Sequence, residues 1–200
     1  MIFKRKIYDE LLRWKRTDEG RTAVLIQGAR RVGKSTVAEE FATNEYDTHI
    51  LVDFAACSSE IRDLFNDVSD LNRIFMRLQL EYGIELKERK SAIIFDEVQL
   101  APKARQAIKY LVKDGRYDYI ETGSLISIRK NVKDILIPSE EVKVHMFPMD
   151  YEEFKWALGD TATIKLLQSC FHNRTSLGDA TNRKLMRDFR LYMLIGGMPQ

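Results

Sequence analysis

Gly28-Ala29-Arg30-Arg31-Val32-Gly33-Lys34-Ser35 satisfies the pattern G-x-x-x-x-G-K-[ST] without a substitution. Glycines at those positions let the backbone curl so that successive N–H groups point inward at a phosphate, and a following helix offers its positive end. Lys34 can then reach a β- and a γ-phosphate, and the Ser35 hydroxyl is a ligand for Mg²⁺. The surroundings agree. The apolar run Thr22–Gln27 precedes the loop, and Val37, Ala38, Phe41 and Ala42 recur after it at helical spacing. Strand, glycine loop and amphipathic helix together read as a nucleotide-phosphate site.

The rest of the chain repeats that alternation. Ile7, Leu11 and Trp14, with Leu12 beside them, predict a short helix over 5–16. His49–Ala55 is a second strand-length run, followed by two amphipathic segments: Ile61, Leu64, Phe65, Val68, then Leu71, Ile74, Phe75, Leu78, Tyr82. Ala92–Phe95 and Tyr117–Thr122 read as the third and fourth strands. Between them a helix opens at Pro102 and shows Ala104, Ala107, Ile108 and Leu111 on one face. Val142–Met149 reads as the fifth strand. Helices are expected at 150–158, 162–172 and 181–195, the last presenting Leu185, Phe189, Tyr192 and Met193 together. The fold class is therefore α/β, a P-loop three-layer sandwich around a mainly parallel five-stranded sheet. It is expected to occupy residues 1–150. Residues 151–200 read as a helical segment that begins a lid or C-terminal region.

Two strand ends carry further chemistry. Ala92–Phe95 runs into Asp96-Glu97, which places both carboxylates at the sheet edge where the phosphate loop also lies. Asp96 is expected to hold the Mg²⁺ hydration shell, and Glu97 to polarise water for attack on the γ-phosphate. The next strand closes on Glu121-Thr122-Gly123-Ser124. A polar side chain there can sit between those carboxylates and the phosphate; Ser124 is the first choice and Thr122 the second.

Composition limits the alternatives. The 200 residues are 44% hydrophobic and 31% charged, with 10 Gly and 4 Pro, which excludes collagen-like and wholly disordered chains. No apolar run approaches a membrane span and no signal-peptide core follows Met1, so a cytoplasmic location is expected. Cys57 and Cys170 form no disulfide framework, and His49, His145 and His172 have no ligand-spaced neighbours. The aromatic-rich stretch Phe147, Met149, Tyr151, Phe154, Trp156 reads as core first and as a partner surface second. Net charge is +2, distributed as +6 over residues 1–34, −8 over 35–99 and +4 over 100–200. That balance gives nucleic acid no direct support. Asn131-Val132-Lys133-Asp134 imitates the guanine motif N-K-x-D with its lysine misplaced, which disfavours GTP. A small-molecule kinase would need an arginine-rich lid and an acceptor pocket, and neither is clear.

The combination of QGARRVGKST, AIIFDEVQ, YIETGSLISI, MFPMDYEEF and GGMPQ resembles a family of bacterial and archaeal AAA-type ATPases. Members join an N-terminal ATPase domain to a C-terminal domain of unknown function. The resemblance implies that Gly28, Ala29, Arg30, Arg31, Val32, Gly33, Lys34, Ser35 and Thr36 bind ATP. It also implies that Ser35 and Asp96 serve Mg²⁺, that Lys34 and Glu97 serve hydrolysis, and that Ser124 is the polar tip of the sensor strand. Read from the residues alone, Arg30 and Arg31 remain open between solvation, a phosphate contact and a pairing with the protein's own acids. Relatives carry a Gly-Arg pair before the fifth strand, a natural arginine finger. Ser139-Glu140-Glu141 stands there instead, and Arg129 is a weak substitute. Slow turnover in isolation is the consequence, with self-association or a partner supplying the arginine. The alternative is an ATP-binding switch with negligible turnover.

Overall fold

All six residues of Ala23–Gly28 (β1) are buried, as a strand covered on both faces requires. In a computed structural model, which describes residues 3–124 and 139–199, β1 lies inside a five-stranded sheet. Its partners are Thr48–Asp53 (β2), Ser91–Asp96 (β3), Asp118–Ser124 (β4) and Glu141–Met146 (β5). The order is β2-β3-β4-β1-β5, and every pairing is parallel. β1 and β4 each extend past their apolar runs because Gly28 pairs with Ser124 across the ladder. β5 stops at Met146, short of the predicted Met149, close before Pro148, which has no N–H for a ladder. Arg129 and the 131–134 motif lie outside the described residues.

Side-chain alternation along the strands sorts the core into two layers. Val24, Ile26, Ala92, Ile94, Ile120, Val144 and Met146 cluster with two helices, Ile7–Asp18 (α1) and Lys34–Glu45 (α2). α1 thus lies two residues later at each end than the apolar spacing predicts. On the opposite face Leu25, Ile50, Val52, Ile93, Phe95 and Tyr119 pack with Leu71–Tyr82 (α4) and Pro102–Asp114 (α5). The first amphipathic segment is broken rather than continuous. Ser59–Asp63 (α3) passes into a 3₁₀ turn at Leu64–Asn66. The chain then bends where Asp67 accepts from Ser69 N–H at 2.9 Å and Asp70 caps α4 by accepting from Arg73 N–H at 3.2 Å.

A charged cluster lies between α5 and the sheet. Arg105 holds Glu141 with two hydrogen bonds, 3.0 Å from Nε and 2.9 Å from Nη2, both side chains being buried. Glu121, on β4, is 0% exposed. Burial, and then the neighbouring Glu141, push its carboxyl well above the ordinary value of 4.5, while Arg105 opposes them. The folded state therefore binds this proton more tightly than the unfolded chain, so stability from it is complete at low pH and declines as pH rises above about 4.5. Urea unfolding at pH 5 and pH 8 will show a decline in the wild type that Glu121→Gln, unable to ionise, reduces.

Contacts divide the chain into two compact units, residues 7–146 and a second that joins the segment up to Lys6 to residues from Phe147 onward. In the second, Asp150 and Glu153 form a reciprocal capping box at the start of Tyr151–Ala157 (α6). Arg5 pairs with Glu153 at 3.2 Å in a buried setting. Lys155 bridges Asp160 and Asp188, each at 3.0 Å, tying α6 to Asp179–Ile195 (α8), while Thr163–His172 (α7) runs between. Tyr192 Oη donates to Met149 O at 2.9 Å, and Met149 N–H donates to Gly197 O at 2.7 Å. Of the aromatic-rich stretch, Met149 and Phe154 are buried as expected, but Phe147 is 69% exposed. Met193 is likewise 59% exposed, so the predicted apolar face of α8 narrows to positions such as Leu185 and Tyr192. Among the described residues no helix is long and apolar enough to cross a membrane.

Candidate nucleotide site

Because the sheet is parallel, the C-terminal ends of β1, β3 and β4 meet at one edge, and the candidate residues hang from those ends. β1 opens into the glycine loop, and α2 begins directly at Lys34. Gly28 must be glycine: a Cβ there would lie 2.2 Å from Met146 O of β5. Gly33 has φ 93° and Arg31 φ 64°, so the loop turns through left-handed backbone twice, a conformation that a glycine adopts freely. Ala29, Arg30 and Arg31 are exposed while Val32 is buried and anchors the loop. Thr36 is exposed on the first turn of α2.

Lys34 is only 5% exposed, and its ammonium donates to Ala29 O at 2.8 Å. Burial pulls its pKa below the ordinary 10.5; Glu97 and then Asp96 oppose that pull, and Arg30 adds to it. Both carboxylates are thus within electrostatic reach of the loop lysine. Ser35 Oγ donates to Asp96 Oδ1 at 2.6 Å. Thr122 Oγ1 donates to the same Asp96 oxygen and accepts from Glu97 N–H at 3.2 Å. Glu97 itself takes φ 52°, ψ 45°, a left-handed conformation that costs a non-glycine residue about 1–3 kcal/mol and concentrates at functional sites.

The structure therefore brings Lys34, Ser35, Asp96, Glu97 and Thr122 together. Ser124 is buried and stands opposite Gly28, whereas the β4 hydroxyl that joins Ser35 on Asp96 is that of Thr122. Register explains this. Phe95 pairs with Glu121, so the next residue of each strand, Asp96 and Thr122, come level. Sequence reasoning also passed over Gln99, whose Nε2 donates to Glu97 Oε2. Its only trace in the sequence is a glutamine two places after the Asp-Glu pair.

The donor set suits Mg²⁺ and a polyphosphate. A hydroxyl and a carboxylate offer hard oxygen ligands, and Mg²⁺ characteristically takes one or two of these beside phosphate oxygens rather than a protein cage. Consistently, no group of three or more His, Cys, Asp or Glu side chains converges among the described residues.

A parallel α/β sheet with a glycine loop after its first strand and an acidic pair after its third defines a protein with the P-loop NTPase fold. The chain belongs to the AAA domain family, which matches residues 20–155. Among solved structures it is similar to the Walker-type ATPase PABY2304 of Pyrococcus abyssi (TM-score 0.54, 17% identity, 99% of this chain and 65% of that one). It is also similar to Drosophila ORC bound to DNA (TM-score 0.51, 14% identity, 77% and 46%). A third likeness is to the RuvB Holliday junction branch migration motor of Thermotoga maritima (TM-score 0.46, 12% identity, 82% and 52%). The chain spans 65% of the archaeal ATPase's length and about half of the other two. No curated protein matches the sequence.

Proposed function

We propose that this chain binds ATP with Mg²⁺ at the Gly28–Thr36 loop and hydrolyses it, using the cycle to change conformation against a partner. One observation carries the reading: Ser35, Asp96, Thr122 and Glu97 form a continuous hydrogen-bonded chain at the sheet edge beside the buried Lys34. Lys34 would leave the Ala29 carbonyl for the β- and γ-phosphates, regaining in the complex the charge partner that burial denies it. Ser35 and Asp96 would hold Mg²⁺, which when bound neutralises phosphate charge. Glu97 would orient the attacking water, while the loop N–H groups receive the charge that develops on the phosphoryl oxygens. Thr122, with Ser124 next along the same face of β4, would report on the γ-phosphate.

The charge pattern before β5 sets the expected rate. Where an arginine finger would stand, Glu141 is drawn inward by Arg105. An arginine contributed by a second copy or a partner is worth about 10³–10⁵ in rate, so turnover of the chain alone is slow. The same observation favours a second reading, an ATP-holding switch. Coupling to a partner protein or to DNA, in the cytoplasm, completes the proposal.

The test is Mg²⁺-dependent ATP turnover by the 200-residue chain over a range of protein concentrations. Turnover per chain that increases with concentration supports a site completed by a neighbour. Tight ATP binding without turnover at any concentration overturns hydrolysis in favour of the switch.

A further inference from the structure

The backbone after β3 is shaped to hold one side chain. Glu97 sits in left-handed backbone, and the next three residues, Val98–Leu100, form a 3₁₀ turn. Leu100 N–H donates to Glu97 O at 2.9 Å and Ala101 N–H to Val98 O at 3.0 Å. Val98, 0% exposed, pins this turn into the core between the sheet and α5. Its consequence is to place Gln99, itself 5% exposed, so that its amide N–H₂ reaches the Glu97 carboxylate. The carboxylate that could act on water is therefore fixed from two sides. Thr122 holds the Glu97 main chain at 3.2 Å and Gln99 holds the side chain.

We infer that Gln99 is a positioning residue for Glu97, orienting the carboxylate toward the phosphate side of the site. This rests on the hydrolysis proposed above. The chemistry explains the residue type. A carboxylate accepts only, so its holder must be a donor, and the holder must be neutral to leave the carboxylate's charge in place. A lysine or arginine at 99 would satisfy geometry but compete with Lys34 for the same charge; a glutamate would repel. A two-residue separation across a 3₁₀ turn is short, and the asparagine side chain, one methylene shorter, would fall away from Glu97. No other side chain of similar length is both neutral and a donor of this kind.

The experiment measures kcat and KM for ATP, and ATP affinity, in the wild-type chain, Gln99→Leu, Gln99→Glu, Glu97→Gln and the Gln99→Leu/Glu97→Gln pair. Loss of a hydrogen bond to a charged group predicts a fall in kcat of roughly ten- to a hundredfold in Gln99→Leu. ATP affinity stays within about twofold, because the bond from Gln99 to Glu97 serves the attacking water and not the bound phosphates. In the Glu97→Gln background the Gln99→Leu change has no further effect, since the proposed route runs through the Glu97 carboxylate. Gln99→Glu keeps the shape but replaces the donor with an acceptor, and loses kcat at least as far.

Three results would overturn the inference: kcat at or above wild type in Gln99→Leu, the same fractional loss with and without Glu97, or a loss confined to ATP affinity. The second would mark Gln99 as a packing residue only. A wild-type chain with no turnover fails earlier, before any variant is compared; it removes the hydrolysis reading and the Gln99 role with it.

Discussion

Lys34→Ala is expected to weaken ATP binding by about 10²–10³-fold without loosening the fold. The lysine is buried at the start of α2, and its ammonium donates to the carbonyl of Ala29 in its own loop. Burial pulls the ammonium's pKa down, so keeping the charge inside costs the folded chain part of what that bond returns. Facing phosphate, the same group makes charge-assisted hydrogen bonds worth about 1.5–3 kcal/mol each, and every 1.4 kcal/mol is about tenfold in Kd. Titration calorimetry with ATP and Mg²⁺, beside thermal unfolding without nucleotide, separates the two effects. Affinity falls while the unfolding midpoint holds or rises; unchanged affinity would remove Lys34 from the site.

Glu97→Gln is expected to do the converse, cutting turnover by about 10²–10⁴-fold while leaving ATP bound. General-base assistance by a positioned carboxylate has that magnitude, and the amide keeps the shape but not the charge or the basicity. Its backbone tethers survive the change, because Thr122 accepts from the main-chain N–H and Leu100 donates to the main-chain carbonyl. Single-turnover measurement of γ-phosphate release at saturating ATP is the direct readout. A variant that hydrolyses at the wild-type rate would transfer the role elsewhere, and one that fails to bind ATP would make Glu97 a binding group. The pairing of these two variants matters: binding lost in one and chemistry lost in the other is a pattern that simple misfolding does not produce.

Among the described residues of the 7–146 unit, Glu19, Arg31, Arg89 and Glu97 are the non-glycine residues in left-handed backbone. Of these, Glu97 and Arg31 flank the place where phosphate would lie. The opposite layer holds a charged cluster, the Arg105–Glu141 pair beside Glu121, whose carboxyl burial pushes well above its ordinary value. Replacing only one member of a buried ion pair strands the other charge, so Arg105 and Glu141 are expected to behave as a unit. This links α5, which begins directly after the Gln99 turn, to β4 and β5.

The glycine loop, the strand before it, the helix after it and the acidic pair after the third strand were legible in the sequence alone. Each is a local pattern, in which glycine placement, apolar spacing and turn chemistry act over a few residues, and local physics suffices to read it. The α/β class followed from the alternation of such patterns. Packing between strands set which β4 hydroxyl meets Asp96. Thr122 and Ser124 share one face of β4, and only the pairing of Phe95 with Glu121 brings Thr122 level with Asp96. Tertiary packing also decided that Glu141 is buried against Arg105 rather than displayed before β5, that Phe147 is exposed, and that Gln99 turns back onto Glu97. These depend on register and packing between segments far apart in the chain, where a shift of one residue would send each side chain to the other face of the sheet.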